Sequence, residues 1–296
     1  MTAGIAAHTG LGGLQNGSPA MDYVKPVDVA AAMVETGRRK LGMTPTDCLI
    51  RGALAGSILG AATSLAFTGT LQTGVPLVGA LIFPVGLCII VLLGLDLVTG
   101  SFGLLPLPLL QQEFSGQTML MNWVYVFIGN LLGSMGYGAL LAIALTNFGA
   151  TAPTGVAAQI IAIAQAKTTG YEALGFAGLV TVFVKAILCN WMVCLAIVMA
   201  MASASTVGKI AAAWMPMLIF FGQGFEHSVV NMFVIPTGML MGAKVTVAQW
   251  WLWNQIPVTL GNLVGGSIFT GLALYMTHKP RATAAPLTMP TQVPAE

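Results

Sequence analysis

Two apolar stretches of this chain, near 75–110 and 210–242, are too long for one straight membrane helix, and each carries a carboxylate in its middle. A span needs about 20 apolar residues, and an ionisable group at that depth costs at least a few kcal/mol. In the first stretch the interruption reads Gly94-Leu95-Asp96-Leu97-Val98-Thr99-Gly100-Ser101. In the second it reads Gly224-Phe225-Glu226-His227-Ser228-Val229-Val230-Asn231-Met232-Phe233. Irregular backbone survives at membrane depth only where protein or a water-filled cavity satisfies its polar groups. Two broken helices in corresponding positions of two halves are a pointer to a binding site for a transported solute. His8 and His278 lie near the chain ends, so His227 is the one titratable ring in the apolar core. A pathway for an ion or a proton needs such a group.

Four further apolar regions, near 51–71, 120–146, 173–202 and 251–277, bring the total to six. With 56% hydrophobic and 7% charged residues over 296 positions, against about 25% charged in a soluble domain, the chain reads as a polytopic, all-α membrane protein. A net charge of +2 suggests no nucleic-acid partner. Residues 1–21 are rich in Gly, Ala and Thr and are expected to be disordered, with no charged segment leading into an apolar core as a signal peptide requires. Residues 22–48 are expected to hold a cytoplasmic amphipathic helix over 26–42. Pro26 stands at its first turn, Asp28 early and Arg38-Arg39-Lys40 late, the order that suits the helix dipole. Its Val29, Met33 and Val34 lie on either the membrane or the bundle. The six-span domain covers 49–278, and 279–296 reads as a flexible tail. Cys48, Cys88, Cys189 and Cys194 show no metal-ligand spacing with histidine and read as buried small hydrophobes. The many methionines reflect membrane composition, and no metal or cofactor is assigned.

The two halves match in order. Arg51-Gly52-Ala53-Leu54 recurs loosely as Lys185-Ala186-Ile187-Leu188, Gly94-Leu95-Asp96-Leu97 as Gly224-Phe225-Glu226-His227, and Gly129-Asn130-Leu131-Leu132-Gly133-Ser134 as Gly261-Asn262-Leu263-Val264-Gly265-Gly266-Ser267. The offsets are 134, 130 and 132 residues. Three spans per half force opposite membrane orientation, an inverted repeat. Lys25, Arg38, Arg39, Lys40, Arg51, Lys209, Lys279 and Arg281 fall on one face and only Lys167 and Lys244 in the loops of the other. The positive-inside rule then puts both termini in the cytoplasm of a cell bounded by that inner or plasma membrane.

The run GFEHSVVNMF followed by Ile235-Pro236-Thr237-Gly238 resembles the fifth-helix signature of the formate/nitrite transporter family. The resemblance spans roughly 22 to 278 and includes Asp22-Tyr23-Val24-Lys25-Pro26, Asp96-Leu97-Val98-Thr99-Gly100, Cys189-Asn190-Trp191-Met192-Val193-Cys194-Leu195-Ala196 and Ile256-Pro257-Val258-Thr259-Leu260-Gly261-Asn262. It implies an aquaporin-like protomer in a homopentamer, with one pore per protomer for small monovalent anions, often coupled to protons. It also implies roles: His227 as the central pore histidine, Thr99 beside it, and Asn190 and Asn262 near that centre. Phe83, Leu87, Leu97, Val193 and Phe220 match the two apolar constrictions. Val98 departs from the family, where an aromatic residue is common. Ala166-Lys167-Thr168-Thr169 resembles the lysine-bearing vestibule segment of nitrite-type members, but Lys167 lies seven residues further from Asn190 than the resemblance implies, with the excess near Tyr171 to Ala177.

An anion in such a pore must be attracted and must then cross apolar rings where charge is poorly solvated. Lys167 and the N-terminal ends of the half-helices answer the first need. Protonation by His227 answers the second, because a reference pKa of about 6.5 lies near working pH. In the alternative the anion crosses charged, and His227 and the asparagines only select. Glu226 and Asn231 join the candidate pathway, Glu226 as a group that orients or charges the ring. Asp96 and Glu226 are further expected to accept hydrogen bonds from the broken-helix backbone. Lys185 either snorkels or pairs with an acid. An intramembrane enzyme would need a convergent acid/base or metal constellation, which the sequence does not offer, and a sensor or scaffold would need a cytoplasmic module. Nitrite is the first expectation as substrate and formate the alternative, with bicarbonate, hydrosulfide, acetate and lactate left open.

Overall fold

In a computed structural model, residues 22–278 are described; the expectations for 1–21 and for the tail at 279–296 lie outside them. Among the described residues the chain is helical and has no strand. The helices are α1 (Pro26–Leu41), α2 (Pro45–Thr73), α3 (Pro76–Leu92, interrupted at Phe83-Pro84), α4 (Val98–Leu110), α5 (Gly116–Thr146), α6 (Val156–Ala166), α7 (Thr169–Glu172), α8 (Phe176–Met201), α9 (Thr206–Gly222), α10 (Ser228–Leu240) and α11 (Val247–His278). Four of them, α2, α5, α8 and α11, are long and apolar enough to cross a membrane, and α3–α4 and α9–α10 are the two broken spans. Local chemistry sets the starts. Thr44, Ser115, Ser205 and Thr246 each accept a backbone N–H at a helix N-terminus, and Thr246 forms a capping box with Gln249.

The repeat seen in the sequence is a repeat of packing. Within the first half α2 lies along α5, so close that a Cβ on Gly133 would sit 1.8 Å from the Ala53 carbonyl oxygen. Within the second half α8 lies along α11, and a Cβ on Gly265 would sit 2.2 Å from the Ile187 carbonyl oxygen. Small residues permit such approach between membrane helices. The start of α2 and the end of α8 share one end of the molecule, since Arg51 and Lys209 line the same cavity. The halves therefore run in opposite directions.

The repeat also reaches further than the three-plus-three reading. The α1 helix lies on the bundle, its Val29, Met33 and Val34 packed with Leu104, Leu105 and Leu107. Gly37 of α1 meets Leu104 and Pro108, and Ala164 of α6 meets Gly238, each three residues before a lysine. Thus α6, unassigned in the sequence reading, is the counterpart of α1, and each half consists of a covering helix and three spans.

The breaks are shorter than the sequence pattern implies. Backbone leaves the helix only at 93–97 and 223–227, turning at Gly94 (φ 63°) and Gly224 (φ 65°), a region that favours glycine. Helix resumes at once at Val98 and Ser228 because an asparagine receives it. Asn130 Oδ1 accepts the Val98 N–H at 2.9 Å, and Asn130 Nδ2 donates to the carbonyls of Gly52 (2.9 Å) and Asp96 (2.8 Å). Asn262 Oδ1 accepts the Ser228 N–H at 2.8 Å, and its Nδ2 donates to Ala186 (2.8 Å) and Glu226 (2.9 Å). Asn130→Ala or Asn262→Ala strips three bonds from buried backbone and is expected to cost at least about 3 kcal/mol. Thermal unfolding in detergent should show this as a lowered midpoint; an unchanged midpoint in either variant would remove the clamp role.

At the α1 end, Asp22 Oδ1 accepts the Ser203 hydroxyl (2.7 Å) and the backbone N–H groups of Ala204 (2.9 Å) and Ser205 (2.7 Å). These donors, Ser203 first, hold the Asp22 carboxyl below its ordinary value. A depressed carboxyl contributes its stabilisation above the unfolded value of about 3.9 and loses it as pH falls through the lower folded value. At neutral pH the latch is therefore closed. Asp22→Ala should speed amide exchange at Ala204 and Ser205 at neutral pH, and should make no difference in strong acid.

Candidate functional site

The starts of two half-helices meet at His227. Its backbone is extended and caps α10, with Nδ1 accepting the Val230 N–H at 3.2 Å. Its Nε2 lies 3.0 Å from Thr99 Oγ1, in the first turn of α4. An Nδ1 that accepts carries no proton, so the neutral ring is protonated on Nε2 and donates to Thr99. The N-terminal ends of both half-helices thus converge on this one bond, each bringing partial positive charge.

Apolar rings flank it. Phe220 stacks over His227 with centroids 5.8 Å apart, Phe83 meets Phe220 edge-on at 5.4 Å, and Phe83 stacks on Phe221 at 4.0 Å. Leu87 and Leu97 form the inner wall of a cavity of about 470 Å³ that opens at the α1 end. Val193 is fully buried in the same core. Asn190 Nδ2 donates to the carbonyls of Thr99 (3.0 Å) and Asn262 (2.6 Å), and its buried Oδ1 has no protein partner. Asn262, expected to line the pathway, directs its side chain to the Ser228 amide and the Glu226 carbonyl at the α10 break and to the Ala186 carbonyl of α8.

Glu226 and His227 are adjacent, yet no hydrogen bond joins their side chains among the described residues. Extended backbone sends neighbouring side chains to opposite sides. Glu226 builds a second cluster. Its Oε2 accepts from Lys167 Nζ (2.7 Å) and Asn231 Nδ2 (2.8 Å), and its Oε1 accepts from the Tyr171 hydroxyl (2.8 Å). Asn254 joins this network, donating to the Lys167 carbonyl (2.9 Å) while its Oδ1 accepts from Asn231 (2.8 Å). The extra residues after Lys167 therefore form α7 and a turn, and the lysine reaches Glu226 despite them. Asp96 has the matching partner in the first half, Lys40. The two carboxylates thus take lysines rather than the broken-helix backbone, because the asparagines have already satisfied that backbone. The Lys185 ammonium stands 5.9 Å over the Tyr171 ring.

The cavity at the α1 end is lined by Arg39, Lys40, Arg51 and Lys209 with one acid, Asp96. The sequence reading used these cations only for topology and missed them as a site, as it missed Tyr171 and Asn254. Lys40 stands in the first half where Lys167 stands in the second, but their separation of 127 residues falls short of the 130 to 134 of the repeat and hid the correspondence. Nitrogen NMR of ring-labelled protein should show His227 as the Nε2–H tautomer. An Nδ1–H form would contradict its capping bond.

The formate/nitrite transporter family model matches residues 27–276. The chain is 35% identical over 271 residues to a probable formate transporter of Methanothermobacter thermautotrophicus, covering 86% of this chain and 97% of that one. It is 31% identical over 267 residues to the formate channel BtFdhC of Bacillus thuringiensis, covering 88% and 97%. Among solved structures it is similar to an FNT family ion channel, with a TM-score of 0.72 at 30% identity over 86% of this chain and 99% of that one. A pentameric formate channel with formate bound gives 0.64 at 25% identity over 79% and 97%. This chain is an integral membrane protein of anion transport and belongs to the formate/nitrite transporter family.

Proposed function

We propose that the chain carries a small monovalent anion of a weak acid through each protomer, with His227 supplying a proton at the centre. The observation that carries this reading is the bond from His227 Nε2 to Thr99 Oγ1 at 3.0 Å, formed where the half-helix N-termini meet and with the Phe220 ring stacked on the imidazole. An anion entering from the α1 end meets Arg39, Lys40, Arg51 and Lys209 first; one entering from the other end meets Lys167. Both then face rings in which a bare charge is badly solvated. A proton taken up from the bulk makes the ring an imidazolium; its Nε2 proton passes to Thr99 Oγ1 as the Thr99 hydroxyl proton passes to the anion, so the solute is neutral for that step, the ring returns to its singly protonated form, and the solute releases the proton on the far side. Among the described residues the His227 side chain bonds Thr99 and the Val230 amide and no carboxylate. The cation-rich α1 end is the cytoplasmic one on this reading, and five protomers assemble, as in the pentameric relative.

Formate is the favoured substrate, because the relatives carry that name. Nitrite, the first expectation from Ala166-Lys167-Thr168-Thr169, is the alternative; both are small conjugate bases that a lysine can attract. The test is uptake into proteoliposomes, formate against nitrite, from about pH 5 to about pH 8, the range over which an unperturbed histidine changes charge. Uptake should rise with acidity. In His227→Asn the cap is kept, since asparagine is a good N-cap, while the titratable ring is lost. That variant should lose most of the acid stimulation, and unchanged pH dependence would leave the anion crossing in its charged form.

A further inference from the structure

The segment between Lys167 and α8 has no counterpart in the first half, where only residues 42–44 separate α1 from α2. It is nonetheless fixed on both sides. A Cβ on Gly178 would sit 2.0 Å from the Tyr171 carbonyl oxygen, so α7 lies directly on α8. The Tyr171 side chain is wedged among Val182, Ala186 and Val258, 8% exposed, and Glu172 Oε2 accepts from Gln249 Nε2 at 2.6 Å. This anchoring points the Tyr171 hydroxyl at Glu226 Oε1, 2.8 Å away. The Lys185 ammonium over the ring draws on its electrons and favours O–H donation.

The two oxygens of Glu226 are consequently divided. Oε1 is held by Tyr171, and Oε2 is shared by Lys167 and Asn231. The carboxylate cannot turn to place both oxygens on the lysine. An ammonium has three N–H donors, and Lys167, with 18% of its side chain exposed against 2% for Glu226, gives one to Oε2. We propose that Tyr171 is a positioning residue for anion entry: by occupying Glu226 Oε1 it leaves Lys167 with donors for the arriving anion. This rests on the transport reading above.

Tyr171→Phe keeps the packing and removes only the donor. The freed oxygen is buried and charged, and its nearest compensation is Lys167 itself, drawn away from the anion. The KM for formate in proteoliposome uptake is then expected to rise at least about tenfold, the loss of a hydrogen bond to a charged group. The maximal rate should stay within about twofold, because His227 and Thr99 are untouched. Tyr171→His, which retains a ring N–H donor, should lie nearer the wild type than Tyr171→Leu. Should the phenylalanine variant fail to assemble, the His and Leu variants decide the matter. A KM that follows side-chain size, with Phe equal to Tyr, overturns the proposal while leaving transport intact. Absence of flux in the wild-type protein would overturn the transport reading, and this inference with it.

Discussion

The fold depends on satisfying broken backbone where water is absent. Each interrupted helix exposes an amide and a carbonyl at its break, and in a bilayer each such group left alone costs several kcal/mol. One asparagine per half, Asn130 and Asn262, meets both of these groups at once and ties them by a third bond to the neighbouring span at Gly52 and Ala186. The ends of α4 and α10 are thereby fixed beside the centre. Only then can His227 cap one half-helix and touch the first turn of the other. The clamp also releases the acidic side chains from backbone duty, so that Asp96 and Glu226 can each hold a lysine.

Those lysine–acid pairs deal with a second constraint. A lone lysine at this depth would be costly, and a lone carboxylate more so. Pairing makes both tolerable, while the exposure of each lysine, 18% of its side chain, keeps cationic character facing outwards. The α1 end adds Arg39, Arg51 and Lys209 around its cavity, whereas the opposite end adds Tyr171 and two asparagines. Charge thus dominates one end and hydrogen-bond arrangement the other.

Much of this was legible in the sequence, and what was not has a physical reason. The apolar regions and the two breaks follow from hydropathy and from Gly94 and Gly224, and the repeat offsets located Asn130 and Asn262. Their role was less visible, because an asparagine facing a pore and one clamping backbone look alike until the acceptors are known. The covering helix α6 was missed because Val156–Ala166 carries few charges to mark it, unlike α1 with its terminal cations. Tyr171 was hidden for a different reason: it lies in the segment where spacing departs from the family resemblance, and a hydrogen bond to a residue 55 positions away leaves no local pattern.

The symmetry of the scaffold makes the asymmetry of its centre informative. At the 130-residue offset that pairs Asp96 with Glu226, Leu97 corresponds to His227 and Thr99 to Val229. The asparagine clamps are duplicated, and the polar pair at the centre is not: the imidazole comes from one half and the hydroxyl from the other. A symmetrical centre with two histidines would replace Leu97, which walls the α1-end cavity, and would bring two rings to a place where one bond suffices. It would also admit a second ionisable group into a region that tolerates few. Duplication therefore supplies the frame, and divergence at two equivalent pairs of positions supplies a single polar contact, His227 Nε2 to Thr99 Oγ1, beneath the Phe220 ring.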